Sequence, residues 1–299
     1  MKYAFFQGCN IPIRIQQYAT STTAVLAKFG IELEVVPTFN CCGYPARNVD
    51  EKAYILPSVR NLAIAEKRGQ DILVICNCCF ASLQKAKNVM SKNAQLMEEL
   101  NAILAKEDLH YSGKSTVKHY LTVLYEEVGP EKIKAQRVNV FTDLNIAVIQ
   151  GCHVLRPREI THFDDSFVPR ITEELLGTTG VKSLDWRGKL ECCGAALAGI
   201  NNDLSHKLLR DKITGAQAAG AEYITPICSY CHLQFDTTQP NIRNAAAGEK
   251  LLPVLLFPQL LGLCLGIDEK ALGIATNSTI DQEDINRLKS LLGPPTEEK

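Results

Sequence analysis

Ten of the twelve cysteines fall into two copies of one pattern. The first copy is Cys9, then Cys41-Cys42-Gly43, then Cys76-Asn77-Cys78-Cys79. The second is Cys152, then Cys192-Cys193-Gly194, then Cys228-Ser229-Tyr230-Cys231. The gap before the adjacent pair is 31 residues in one copy and 39 in the other; the gap after it is 33 and 34. Two five-thiol constellations in one chain point to two metal-cluster sites, and so to electron transfer or thiol redox chemistry. Thiolates are soft ligands for iron–sulfur clusters or zinc.

A chain of 299 residues suits two domains of ordinary size. Net charge is −1, which gives neither nucleic acid nor an anionic membrane as main partner. The start, MKYAFFQGCN, has too short an apolar run for an export segment. The uncharged run Leu251 to Ile267 is interrupted by Pro253, Pro258 and Gln259 and falls short of the roughly 20 residues needed to span a bilayer. A buried or interface element is expected there. Twelve cysteines in a chain read as cytoplasmic argue for reduced thiols rather than a disulfide framework.

The duplication extends beyond cysteine. Tyr3 to Cys9 answers Ile146 to Cys152, each a short apolar strand ending at Gly-Cys. Helical stretches follow, Gln16 to Phe29 and Phe167 to Leu176. Strands Ile31 to Val36 and Val181 to Trp186 lead to the Cys-Cys-Gly turns. Helices Glu51 to Arg68 and Asp203 to Ala219 come next, then strands Asp71 to Cys76 and Ala221 to Cys228. The tails Val117 to Leu124 and Leu252 to Leu260 also correspond, and Met90 to Lys106 reads as helix. Strands alternating with helices predict an α/β fold of two homologous βαβ-type domains with mainly parallel sheets. The polar stretch Glu131 to Arg137 is taken as the junction, giving domains 1–137 and 138–299. Residues 294–299 are expected to fray.

This topology places Cys9, Cys76, Cys152 and Cys228 at strand ends, where ligands of open α/β sheets collect and where helix N-termini favour anions. Gly43 and Gly194 allow sharp turns beside them. Two zinc sites are the simplest metal alternative, but five thiols per copy, two of them adjacent, suit tetrahedral zinc less well. The closely spaced ferredoxin pattern is absent, and no Gly-rich phosphate loop is present.

The motifs Phe6-Gln-Gly-Cys9, Asn40-Cys-Cys-Gly-Tyr-Pro45, Cys76-Asn-Cys-Cys-Phe80, Gln150-Gly-Cys-His153, Glu191-Cys-Cys-Gly194 and Cys228-Ser-Tyr-Cys-His232 resemble those of the CCG-domain family. Over its length the chain is similar to the B subunits of heterodisulfide reductases. The resemblance implies two non-cubane [4Fe–4S] clusters. One would be held by Cys9, Cys41, Cys42, Cys76 and Cys79, the other by Cys152, Cys192, Cys193, Cys228 and Cys231. It implies a disulfide or thiol substrate, free or carrier-bound, between the clusters. It implies as partners a C-type subunit with ferredoxin-like clusters and an A-type flavoprotein. A non-catalytic electron-relay or scaffold subunit is the alternative. The Cys41-Cys-Gly-Tyr-Pro45 of the first copy departs from the Cys-Cys-Pro of the methanogen enzymes and leans toward complexes of bacterial sulfur metabolism.

Other residues have weaker claims. Cys78 falls outside the repeat and is expected to point away from the site. Cys264 reads as a small buried residue. His153 and His232, each next to a ligand, are candidates for proton delivery. His119 is expected to be structural or at the domain interface. Arg14, Arg47, Arg156 and Arg158 are candidates for gripping an anionic substrate. If both sites act on one disulfide, the two cysteine sets must face each other across the domain junction.

Overall fold

A computed structural model describes residues 1–243 and 250–295. The first half forms a parallel four-stranded sheet in the order β2-β1-β3-β4, from β1 (Lys2–Phe6), β2 (Glu32–Val35), β3 (Ile72–Val74) and β4 (Val117–His119). In the second half β6 (Asn145–Ile149) lies between β7 (Lys182–Ser183) and β8 (Tyr223–Pro226), again parallel. The fourth position is reduced to one parallel bridge, Ile224 to Val254. A short pair, β5 (Val140–Phe141) with β9 (Leu292–Gly293), is antiparallel. The α/β duplication read from the sequence is therefore present.

The central strands are apolar on both faces because helices cover both. Residues 3–6 of β1 and 146–149 of β6 are buried, as parallel sheets require. Helix Glu51–Lys67 is capped by the Asp50 carboxylate, which accepts from the Ala53 N–H at 2.6 Å. Its counterpart Asn202–Ala218 is capped by Asn201 on the Leu204 N–H at 3.0 Å. Each cap satisfies a free N–H of the first turn and fixes where the helix begins after the Cys-Cys-Gly turn.

Several elements differ from expectation. The stretch from Met90 is two helices, Asn77–Lys92 and Ala94–Leu104, because Asn93 leaves helical geometry and caps the second on the Leu96 N–H. The helix expected from Phe167 starts at Ile171, where the Asp164 carboxylate accepts from the Arg170 and Ile171 N–H groups. The strand expected over Val181 to Trp186 is only two residues long. Residues Pro130–Gln136, within the stretch taken as the junction, are helical with Ile133 buried. Of the tail expected to fray, residues 296–299 lie outside the described residues.

The halves are laced together. Helix Phe257–Cys264, buried along its whole length, packs on helix Gln16–Lys28 of the first half. Tyr18 donates to the Ile227 carbonyl at 2.9 Å, and the Asn77 side-chain amide donates to the Gln150 carbonyl at 3.3 Å. Among the described residues no helix is long and apolar enough to cross a membrane.

Candidate metal centre

The strand ends deliver the cysteines as expected. Cys76 and Cys228 each occupy the residue before a helix, Asn77–Lys92 and Ser229–His232, in extended backbone. Cys152 opens a short helix three residues beyond β6. Gly43 and Gly194 both have left-handed backbone, φ 86° and 83°. A Cβ at Gly43 would meet the Tyr54 carbonyl at 2.3 Å, and one at Gly194 the Ser205 carbonyl at 2.7 Å. Only glycine lets these turns lie against the helix that follows.

In the first set the Cys9 and Cys41 sulfurs are 3.9 Å apart. Cys42 contacts Cys41 and Cys79, and Cys79 contacts Cys76. In the second, Cys152 contacts Cys192, the Cys193 and Cys231 sulfurs are 3.1 Å apart, and Cys231 contacts Cys228. The sets adjoin: the sulfurs of Cys76, Cys78 and Cys228 all lie within 4.8 Å of one another. Ser229 of the second half donates its hydroxyl to the Cys76 sulfur at 3.0 Å. A small cavity is lined by all five cysteines of the second set together with Cys78, Tyr44, His153, Ala195, Ala196 and Tyr230.

Cys78 therefore does not point away. Cys76 stands in extended backbone before the helix and Cys78 in its first turn, and the side they share lies against Cys228. That side faces the second half, where Cys228 and His153 stand. The His153 ring reaches Cys78 Sγ at 3.6 Å and Cys152 Sγ at 3.5 Å through Nδ1. Its Nε2 lies 2.9 Å from Arg47 Nη1 and 3.1 Å from Tyr44 Oη, both from the first half. Arg47 also stacks on the Tyr44 ring at 4.1 Å. Burial first, then the Arg47 charge, push the His153 pKa down.

His232 is not at the cavity. Its Nε2 faces Gln17 at 3.4 Å and Asp236 at 3.7 Å, in a fully buried network between the halves. Burial lowers its pKa to about 4. His232, expected as a candidate for proton delivery, is not among the residues lining the cavity, and its ring faces Gln17 of helix Gln16–Lys28. His119 is at the domain interface, bonded to Asn77 at 3.1 Å and packed on Phe163. Of the four arginines, Arg47 reaches the site. Arg14 is exposed, Arg156 donates to the Ser166 carbonyl and Arg158 pairs with Asp165 at 3.2 Å. Cys264 is buried, 3.5 Å from the Thr179 carbonyl.

The donor set fits an iron–sulfur group. Thiols packed this closely cannot all ionise unaided: neighbouring Cys41 and burial push Cys9 up, while Cys152 holds Cys192 down at about 5. Positive metal ions remove that conflict and let every sulfur bind as thiolate.

The cysteine-rich domain (CCG) family matches residues 3–84 and 146–236. The chain is 32% identical, over 93% of its own length and 93% of the relative's, to the B subunit of the ferredoxin/F(420)H(2)-dependent CoB-CoM heterodisulfide reductase of Methanosarcina acetivorans. It is 31% identical to the 8-methylmenaquinol:fumarate reductase membrane anchor subunit of Wolinella succinogenes, over 92% of this chain and 96% of that one. A crystal structure of a hypothetical protein from Helicobacter pylori shares the fold, with TM-score 0.73 and 15% identity over 94% of this chain and 52% of that one. This chain is thus of the class of cysteine-rich subunits found in oxidoreductase complexes. It belongs to the CCG family, among the relatives of the B subunits of heterodisulfide reductases.

Proposed function

We propose that this chain is the iron–sulfur subunit of a heterodisulfide reductase-like complex and cleaves or forms a disulfide. One observation carries the reading: the two five-cysteine sets adjoin, with Cys76 and Cys228 sulfurs within 4.8 Å. A disulfide has two sulfurs, and two sites this close can serve both. Cys9, Cys41, Cys42, Cys76 and Cys79 would hold one [4Fe–4S] cluster, and Cys152, Cys192, Cys193, Cys228 and Cys231 the other. When bound, the pair of clusters would supply the two electrons that open a disulfide, or accept them when one closes.

The remaining work falls to side chains. Arg47 is a permanent donor, so His153 Nε2 must accept from it and the ring proton sits on Nδ1. That N–H faces Cys152 and Cys78, where it would donate a hydrogen bond to a departing thiolate. The small side chains of Ala195 and Ala196 and the body of Tyr230 give the cavity apolar walls that exclude water. Electrons would come from a C-type subunit with ferredoxin-like clusters and an A-type flavoprotein. The substrate would be a disulfide or thiol, free or carrier-bound, in the cytoplasm.

An electron-relay subunit is the second reading. It is favoured by the relative named as part of a menaquinol:fumarate reductase. The test is reconstitution under anaerobic conditions. We expect about eight iron and eight sulfide per chain, four of each per cluster, and a change in the cluster spectrum on adding a disulfide. Stoichiometric zinc without sulfide sinks both readings. Full clusters blind to every disulfide and thiol offered leave the relay.

A further inference from the structure

The Cys-Cys-Gly turn of the second copy rests on a buried cation. Lys212, on helix Asn202–Ala218, is 3% exposed. Its ammonium donates to the Glu191 carbonyl at 2.6 Å and to the Gly188 carbonyl, and lies 5.6 Å from the centre of the Trp186 ring. Carbonyls and a ring face solvate the charge without neutralising it. The nearby Glu191 carboxylate lies 3.8 Å from Arg187. A buried ammonium is costly unless an anion faces it. Burial pushes the Lys212 pKa down, and the groups that favour its charged form against this are Cys231 and Cys193, then Glu191 and Cys192.

The first copy has no such charge in the matching place. Lys212 lies twenty residues beyond Cys192, and the residue twenty beyond Cys41 is Asn61. Asn61 does the same structural job with a neutral amide, donating to the Asn40 carbonyl at 3.1 Å and accepting from the Asn40 N–H at 3.0 Å. Arg60, which donates to the Asn40 side chain at 2.8 Å, is also bound to Glu107 at 2.7 Å and is a quarter exposed, and Arg47 is turned to His153 of the second half. Both copies thus need a donor under the turn, and only the second uses one that carries uncompensated charge. A fixed positive charge stabilises the more negative, reduced state of whatever it faces, more strongly in a dry surrounding than in water.

We propose that Lys212 makes the second cysteine site the stronger electron acceptor of the two, so that it is reduced at the higher potential. This rests on the reading that both sites hold iron–sulfur clusters. Lys212 acts through the turn and its sulfurs and is a positioning residue for charge, not a group that touches substrate.

The test uses the loaded full-length chain. A redox titration through mediators delivers one electron to each site and is followed by electron paramagnetic resonance and visible absorption. Cys193→Ser, which removes a ligand of the second site, identifies that site's wave. We expect Cys193→Ser to remove the higher wave. Lys212→Met should move that wave down by at least about tenfold in its equilibrium constant, which is about 59 mV for a one-electron couple. Lys212→Arg should leave it in place, and the lower wave should stay put in both lysine variants. Coincident wild-type waves, or loss of the lower wave in Cys193→Ser, overturn the proposal. So does Lys212→Met with full iron and unmoved waves. If Lys212→Met does not load, the order of the wild-type waves decides alone. Iron and sulfide are assayed on the same samples. A wild-type chain without sulfide defeats the functional reading, whereas two clusters in the wrong order defeat only the role given to Lys212.

Discussion

The two copies share a cysteine pattern and an order of strands and helices, and differ in how each is completed and supported. In the first, a full parallel sheet of four strands leads to one uninterrupted helix, Asn77–Lys92, after the Cys-x-x-Cys. In the second, the fourth strand is a single bridge, and the matching helix gives way after His232 to wider π-helical turns, Leu233–Thr238. The first turn is anchored by Asn61 and by Ser58, which donates to the Cys42 carbonyl at 2.7 Å. The second is anchored by Lys212 and by Ser205, which donates to the Gly194 carbonyl at 3.0 Å. The five-cysteine pattern is the same in both halves. Where only support is needed, the halves have taken different roles, and the cavity with its histidine belongs to the second.

The broadest test of this comparison is ligand removal. Cys42→Ser and Cys193→Ser should each lower iron by about half, from about eight to about four per chain. Loss of all iron from either variant would mean that the sets are one site rather than two. Next comes the cavity. His153→Ala should slow disulfide turnover by about a hundredfold, the usual scale for losing one hydrogen-bond donor to a developing negative charge, with iron content intact. His232→Ala should instead lower the unfolding midpoint and leave turnover per cluster unchanged.

A smaller effect separates the turns. Gly43→Ala should cost roughly 2–4 kcal/mol, from the left-handed backbone and the Tyr54 carbonyl, and Gly194→Ala somewhat less because its nearest atom is farther away. Urea unfolding of the metal-free chain measures both.

The smallest contrast is a matter of pH. Registering Ile72 with Ile224 puts His119 where the second copy has Leu256. Burial lowers the folded pKa of His119 to about 3, against about 6.5 in an unfolded chain. The unfolded state therefore takes up the proton first as acidity rises. Stability present above pH ~6.5 is lost progressively as pH falls toward ~3. His119→Leu should flatten that limb by a few kcal/mol, read as the unfolding midpoint against pH. A variant that keeps the full acid sensitivity would remove His119 from the account.

Much of this molecule is legible in its sequence because thiols in a fixed pattern carry their chemistry with them. The strands before Cys9, Cys76, Cys152 and Cys228 announce themselves by unbroken apolar runs. What stays hidden depends on contacts between distant segments. Nothing in the run Tyr44 to Arg47 says that it will clasp a histidine more than a hundred positions away. Cys78 looks surplus when the copies are matched, yet the first turn of the helix sets its sulfur within 4.8 Å of Cys76 and Cys228. His232 misleads for the opposite reason, since adjacency to a ligand in sequence says nothing about which way the ring faces. Lys212 and Asn61 stand in register, but only the structure shows both under a turn.

The lacing of the halves bears on whether the repeat can be taken apart. Helix Phe257–Cys264 comes from the second half and covers helix Gln16–Lys28 of the first. Gln17 of that helix bonds at 3.1 Å to Asn277, near the far end of the chain. A cut after Arg137 would follow the repeat in sequence yet run through a shared core, leaving each piece with an apolar face that only the other can cover. The pieces, produced together, should elute as one complex, and either alone should aggregate. The covering is mutual: Tyr120–Val128 of the first half packs on helix Ile171–Gly177 of the second, as Phe257–Cys264 packs on Gln16–Lys28, so neither copy is closed without the other.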